Sequence, residues 1–171
     1  HERRSGKDAD DDPLYDVFCK LDIEDRYREN VCFVALRFGV DDNGDRDPSH
    51  RNLLTYTIAV THGAGGGMLI GSGPNRDERF AMAVEGVDLF IFGHTHKPIT
   101  FPLSKISFDL FHNRIVQRQF TIVIATSWLG YGGYPVQKLL PPTAFVDTEI
   151  ILSGKHRSIS VTQTNNCLTN S

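Results

Sequence analysis

The chain is 171 residues long, 40% hydrophobic and 23% charged. That is enough apolar material for one domain with a sizeable core, and it excludes a chain disordered throughout. A net charge of −3 excludes nucleic-acid binding through a global basic field and leaves only a local patch.

No apolar stretch reaches the roughly 18 residues of a membrane helix, and no signal peptide is read at the start. Cys19, Cys32 and Cys167 make neither a CxxC pair nor a disulfide framework. The expectation is a cytoplasmic protein with reduced thiols and no membrane association.

Residues 1–12 are polar and end in the acidic run Asp10-Asp11-Asp12, read as a solvated loop. Asp12 as N-cap and Pro13 at the first helical position open a short amphipathic helix, with Leu14, Val17, Phe18 and Leu21 on one face. Residues 31–38 are rich in β-branched and aromatic side chains and read as a strand. Residues 41–45 resemble a calcium loop in composition, but they lack the ligand spacing and closing glutamate of an EF-hand.

Residues 55–61 alternate Tyr56, Ile58 and Val60 with Thr57, Ala59 and Thr61, as a strand ending at His62 does. Residues 63–73 are glycine-rich and contain neither GxGxxG nor GxxxxGK followed by Ser or Thr. They read as a connection that keeps side chains away from a site, with backbone N–H groups open to a phosphate. Asn75 and Glu78 have the spacing of a capping box, Phe80, Ala83, Val84 and Val87 that of a helix face, and Gly86 fits a C-cap. Residues 87–92 form a nearly continuous apolar run, which suits a strand buried on both faces. Residues 55–92 therefore predict a βαβ unit.

Beyond it, Ile106, Phe108 and Leu110 alternate with polar positions, His112-Asn113 reads as a turn and residues 116–125 as a strand. Residues 144–152 and 157–164 read as a hairpin across Ser153-Gly154-Lys155. The predicted architecture is α/β, one domain over 1–171 with a polar tail at 165–171. It is a βαβ unit followed by mostly antiparallel strands.

His62 follows the first strand of that unit, and His94 and His96 follow the second, in Gly93-His94-Thr95-His96-Lys97-Pro98. Ligands of open α/β sheets gather at the carboxyl ends of strands, so the three histidines are expected on one edge. In an extended chain His94 and His96 point to one side, with Cα atoms roughly 6.5–7 Å apart, and grip one metal or reach two. Imidazole suits zinc, iron, nickel, copper and manganese. Trp128, Tyr131 and Tyr134 lie in a glycine-rich stretch read as an aromatic-anchored loop that stacking on a base or ring would also suit. Lys97 reads as solvated or as a phosphate contact.

Thr61-His62-Gly63 and Gly93-His94-Thr95-His96 resemble the two C-terminal motifs of the calcineurin-like metallophosphoesterases, and His1-Glu2-Arg3-Arg4 resembles the tail of that family's third motif. The family pattern runs Asp-x-His, Gly-Asp-x-x-Asp, Gly-Asn-His-Glu or Asp, a histidine before glycine, and Gly-His-x-His. The resemblance covers most of the chain, from His1 to about Thr164.

It implies two divalent metal ions (Mn, Fe, Zn or Ni) and hydrolysis of a phosphate mono- or diester, with nucleic acid among the open substrate classes. It implies that His62 and His94 bind the second metal and His96 the first. His1 would serve as the catalytic histidine beside the metals, with Glu2 and Arg4 at most in support. It implies an α/β/β/α sandwich of which this chain is the C-terminal half. The family's Asp-x-His, Gly-Asp-x-x-Asp and metal-binding Asn would stand ahead of His1, so the chain reads as a fragment, inactive alone and poorly soluble.

Two other readings stand beside this one. A non-catalytic member of the same fold would serve as a protein-interaction scaffold. Taken as a processed N-terminus, His1 would chelate copper through its amine and imidazole, as in copper monooxygenases. The βαβ unit and the unpaired cysteines count against that reading.

Overall fold

The computed structural model describes residues 13–40, 43–49, 53–64, 70–126, 133–137 and 144–165. The chain divides into two compact units, His1–Cys32 and Phe33–Ser171.

In the first unit, helix α1 (Pro13–Lys20) is followed by a single 3-10 turn at Glu24–Arg26. Proline at the first position is tolerated because that N–H has no intrahelical partner. Tyr15 and Phe18 meet Tyr27 edge-on, with ring centroids 5.2 and 5.6 Å apart. The predicted apolar face is only partly used, since Val17 and Leu21 remain exposed. Asp12, the predicted N-cap, lies outside the described residues.

The second unit is built on a sheet of β1 (Val31–Phe38, whose first two residues belong to the first unit), β2 (Leu54–Thr61), β3 (Leu89–Phe92), β4 (Ile99–Asp109) and β5 (Arg114–Ile124). The strand order is β1-β2-β3-β5-β4. β2 and β3 run parallel, with Ile58 opposite Leu89 and Thr61 opposite Phe92. Helix α2 (Pro74–Ala83) crosses between them, as the βαβ pattern predicts. β5 lies parallel to β3, and β4 pairs antiparallel with β5 along its whole length, from Ile99–Ile124 to Asp109–Arg114. The chain is thus mixed α/β, mostly strand. The hairpin turn falls at residues 110–113, where His112-Asn113 was expected, and Asn113 takes a left-handed φ of 48°. A short helix α3 (Tyr134–Gln137) precedes a separate hairpin, β6 (Val146–Leu152) and β7 (Ile159–Asn165), whose connection is wider than the predicted three residues.

Side-chain alternation splits the core in two. Ala59, Phe90, Phe92, Ile122 and Ile124 face α2 and pack with Ala81, Phe80 and Val84. Phe80 stands edge-on to Phe90 and Phe92, at 6.4 and 6.0 Å. Ile58, Leu89 and Val123 face the other way, onto Ile150, Leu152, Ile159 and Val161 of the β6–β7 hairpin. One helical layer, the five-stranded sheet and a second β layer result. The near-continuous apolar run of β3 follows from cover on both faces.

Three local expectations are corrected. α2 begins at Pro74 with Gly73 as N-cap and no capping side chain, so Asn75 and Glu78 make no capping box. Its C-cap is Val84, and Gly86, with φ 78°, turns the chain two residues later. Ala83 is exposed while Asp77 and Ala81 are buried. The predicted face is kept at Phe80, Val84 and Val87, and Ala81 takes the place expected of Ala83.

Lys105 on β4 then closes the helix end, donating to the carbonyls of Ala81 and Val84. Its ammonium also lies 5.1 Å from the centroid of the Phe120 ring. Unsatisfied carbonyls at a helix C-terminus attract a cation in this way.

At the amino edge of β3, the β6–β7 hairpin is fastened by side chains. Asp88 accepts the Thr57 N–H at 2.9 Å and the Arg157 guanidinium on its other oxygen. The Tyr56 hydroxyl accepts the Ser158 N–H at 2.9 Å and faces the Ser153 carbonyl at 2.8 Å. Among the described residues no helix is long and apolar enough to cross a membrane. Cys19 and Cys32 are free thiols.

Candidate metal centre

Because β2 and β3 are parallel and in register at Thr61–Phe92, their carboxyl ends deliver His62 and Gly93 side by side. The Gly93 N–H donates to the Thr61 carbonyl at 3.3 Å. A Cβ on Gly93 would sit 3.3 Å from the His62 carbonyl oxygen and 3.6 Å from its Nδ1. Glycine there lets the neighbouring strand end stand directly against the imidazole.

The chain then turns sharply. His94 and His96 both take left-handed backbone angles, φ 62° and 56°, and Thr95 N–H reaches back to the Gly93 carbonyl at 2.7 Å. Left-handed backbone costs a residue with a Cβ roughly 1–2 kcal/mol, and such strain concentrates at functional sites. The expected extended His-x-His pair is therefore not formed. The histidines brought together are His62 and His94, with Nε2 and Nδ1 3.0 Å apart and rings edge-on at 77°. Burial, and then the proximity of His94, lowers the His96 pKa and favours its neutral form. His1, Glu2 and Arg4 lie outside the described residues, as do 65–69 of the glycine-rich loop, Trp128 and Tyr131. Tyr134 opens α3.

Comparison with family models, with curated proteins and with solved structures finds no match to this chain.

The donor set can be tested on its own geometry. Zinc–imidazole bonds of about 2.0–2.1 Å set two nitrogens on one tetrahedral or octahedral ion about 2.9–3.4 Å apart. The 3.0 Å gap between His62 and His94 fits that spacing, and it fits an N–H···N hydrogen bond equally well. Among the described residues no three His, Cys, Asp or Glu side chains are grouped to hold an ion. The described residues thus bring together two imidazoles and no third donor.

Two residues beside this edge escaped the sequence reading. Asp77, 3% exposed, is the one buried charged residue among the described residues. Its Oδ2, like the Thr95 hydroxyl, is buried with no hydrogen-bond partner there. Burial raises its carboxyl from 3.8 to about 6 against the lowering effect of Arg76. A charged residue in an exposed-looking helix reads as solvated. The available signal was its spacing, three, four and seven residues before Phe80, Ala81 and Val84.

Proposed function

We propose that the chain is the histidine-bearing part of a metal-dependent phosphoesterase, with His62 and His94 holding a divalent cation at the carboxyl edge of the sheet. The observation that carries the reading is the 3.0 Å approach of two imidazole nitrogens from the ends of adjacent parallel strands. The ordered motifs His62-Gly63 and Gly93-His94-Thr95-His96 support it. So does the layering of α2, the five-stranded sheet and the β6–β7 hairpin, which accords with one half of an α/β/β/α sandwich.

A bound dication would polarise phosphoryl oxygens and lower the pKa of water. The residues of this chain orient and hold. Gly93 leaves room for the His62 ring, and the left-handed turn at His94 aims its Nδ1 at the same gap. His96, whose pKa burial lowers, is a further nitrogen donor on the same turn. His1 is assigned the proton to the leaving oxygen by resemblance alone. Neutral imidazoles do not offset the repulsion between two dications, so the carboxylates that the resemblance puts ahead of His1 are needed for turnover.

The coding sequence upstream of His1 tests the reading. Gly-Asn directly before it, with Gly-Asp-x-x-Asp and Asp-x-His further back, is expected, and a cleaved signal peptide there defeats the proposal. Residues 1–171 alone should bind zinc or manganese weakly and hydrolyse p-nitrophenyl phosphate little or not at all. Robust hydrolysis by that chain, or metal binding indifferent to His62→Ala and His94→Ala, also overturns it.

A further inference from the structure

Asp77 sits where both histidine-bearing segments rest on α2. Its N–H donates to the Gly73 carbonyl at 3.1 Å, which fixes it in the first turn. Its Oδ1 lies 3.8 Å from the position a Cβ would take on Gly63, against the backbone that follows His62. Gly73 in turn lies against Thr95, between His94 and His96. A Cβ there would come within 2.5 Å of the Thr95 Cγ2. Two glycines, one after His62 and one before α2, thus let the helix start beneath both segments.

A carboxyl buried 97% with an orphaned oxygen is unfavourable unless a donor or a cation faces it. Among the described residues no hydrogen bond to its Oδ2 explains the burial as a structural latch. The Thr95 hydroxyl, orphaned in the same way, comes from the very turn that bears His94. The two buried oxygens without partners thus lie against the segments that follow His62 and His94, where residues that support a pair of ligands stand.

We propose that Asp77 is a positioning residue for the histidine pair: it props the segment after His62 and supplies negative charge for a divalent cation held by His62 and His94. The proposal rests on the metal reading given above, and its test separates the two.

The probe is zinc alone, titrated into the full chain. Asp77→Asn keeps the shape and removes the charge. Zinc affinity is expected to fall about 10–100-fold, the range for residues that support metal ligands, with an unchanged circular dichroism spectrum. Asp77→Glu is expected to bind more tightly than Asp77→Asn. If Asp77→Asn does not fold, Asp77→Ser, which leaves room for a water, replaces it with the same expectation.

The second readout needs no metal. Ring 15N shifts of His62 and His94 in zinc-free protein should move in Asp77→Asn, because the segment after His62 rests against the Asp77 carboxyl. Unmoved shifts in a folded variant overturn the role of Asp77, as does zinc affinity within twofold of wild type. If wild type binds no zinc, or binds it equally after His62→Ala, the metal reading fails. The 15N shifts then decide Asp77 by themselves.

Discussion

His62 Nε2 and His94 Nδ1 face each other at 3.0 Å across the ends of two parallel strands, and only a proton or a cation can join two imidazole nitrogens at that distance. Both imidazoles must be neutral to serve as ligands, so protons compete with the metal and binding weakens as pH falls. Saturating zinc should therefore raise Tm at pH 7.5 and have no effect at pH 5. At a zinc concentration 100-fold above Kd the gain is about 2.7 kcal/mol. Differential scanning fluorimetry of wild type, His62→Ala and His94→Ala checks this, and a shift persisting at pH 5 or in the variants contradicts it.

Asp77 gives a pH signature in the absence of metal. Burial raises its carboxyl from 3.8 to about 6, so the folded chain holds a proton that the unfolded chain has released. This contribution to stability is complete below about pH 3.8 and is lost as pH rises through about 6. The change is at most about 3 kcal/mol, at 1.36 kcal/mol per tenfold change in the proton equilibrium. Urea unfolding at pH 4, 5 and 6.5 should show Asp77→Asn gaining on wild type as pH rises. A constant difference across that window contradicts the assignment.

Lys105 closes α2 by donating to the Ala81 and Val84 carbonyls while lying over Phe120. Lys105→Met keeps most of the stem packing and removes both bonds. A loss of about 1–3 kcal/mol is expected, from two carbonyls left without a charged donor. Thermal melts of the two proteins measure it, and amide exchange should quicken first in residues 80–84.

Tyr56 joins β2 to residues 97 and more positions later through its hydroxyl. Tyr56→Phe leaves the Ser158 N–H without its acceptor and should cost about 1–2 kcal/mol. The effect should be local. Exchange should rise across β6 and β7 while β3 and β5 keep their protection, and equal loosening of all strands would mean that the hairpin is not separately fastened.

The far end of the β4–β5 hairpin is apolar and open, with Ile106 77%, Leu110 86%, Phe111 90% and Ile115 71% exposed. At roughly 25 cal/mol per Å2 of apolar area removed from water, self-association is favoured at high concentration. Replacing Leu110 and Phe111 by serine should lower the sedimentation-average mass of a concentrated sample without changing Tm by more than about 2 °C. An unchanged mass would acquit this tip.

Much of this architecture was legible in residue order. The β1 limits, the βαβ unit and the terminal hairpin follow from patterns of two and of three to four, because each strand and helix buries a definite face. The strand order was not legible. β5 inserts between β3 and β4, and no local pattern says that a hairpin docks by its second strand. Nor was the burial of Ala81 rather than Ala83 within a helix face otherwise read from Phe80, Val84 and Val87. At the site, the histidines were named by position and their edge by the parallel strands. The extended geometry given to His94 and His96 failed because both residues occupy the left-handed region, which side-chain chemistry alone does not reveal. Asp77 escaped because burial of a carboxyl is a tertiary fact.

That insertion has a consequence for the order of assembly. β4 and β5 are neighbours in sequence, joined by residues 110–113, whereas β5 reaches β3 only by skipping β4. Contacts close in sequence form before distant ones because less chain must be restrained. The long hairpin is thus a ready-made block that arrives whole and offers its second strand to β3. A chain shortened before residue 114 would leave β3, and the shelf on which His94 stands, with one neighbour instead of two.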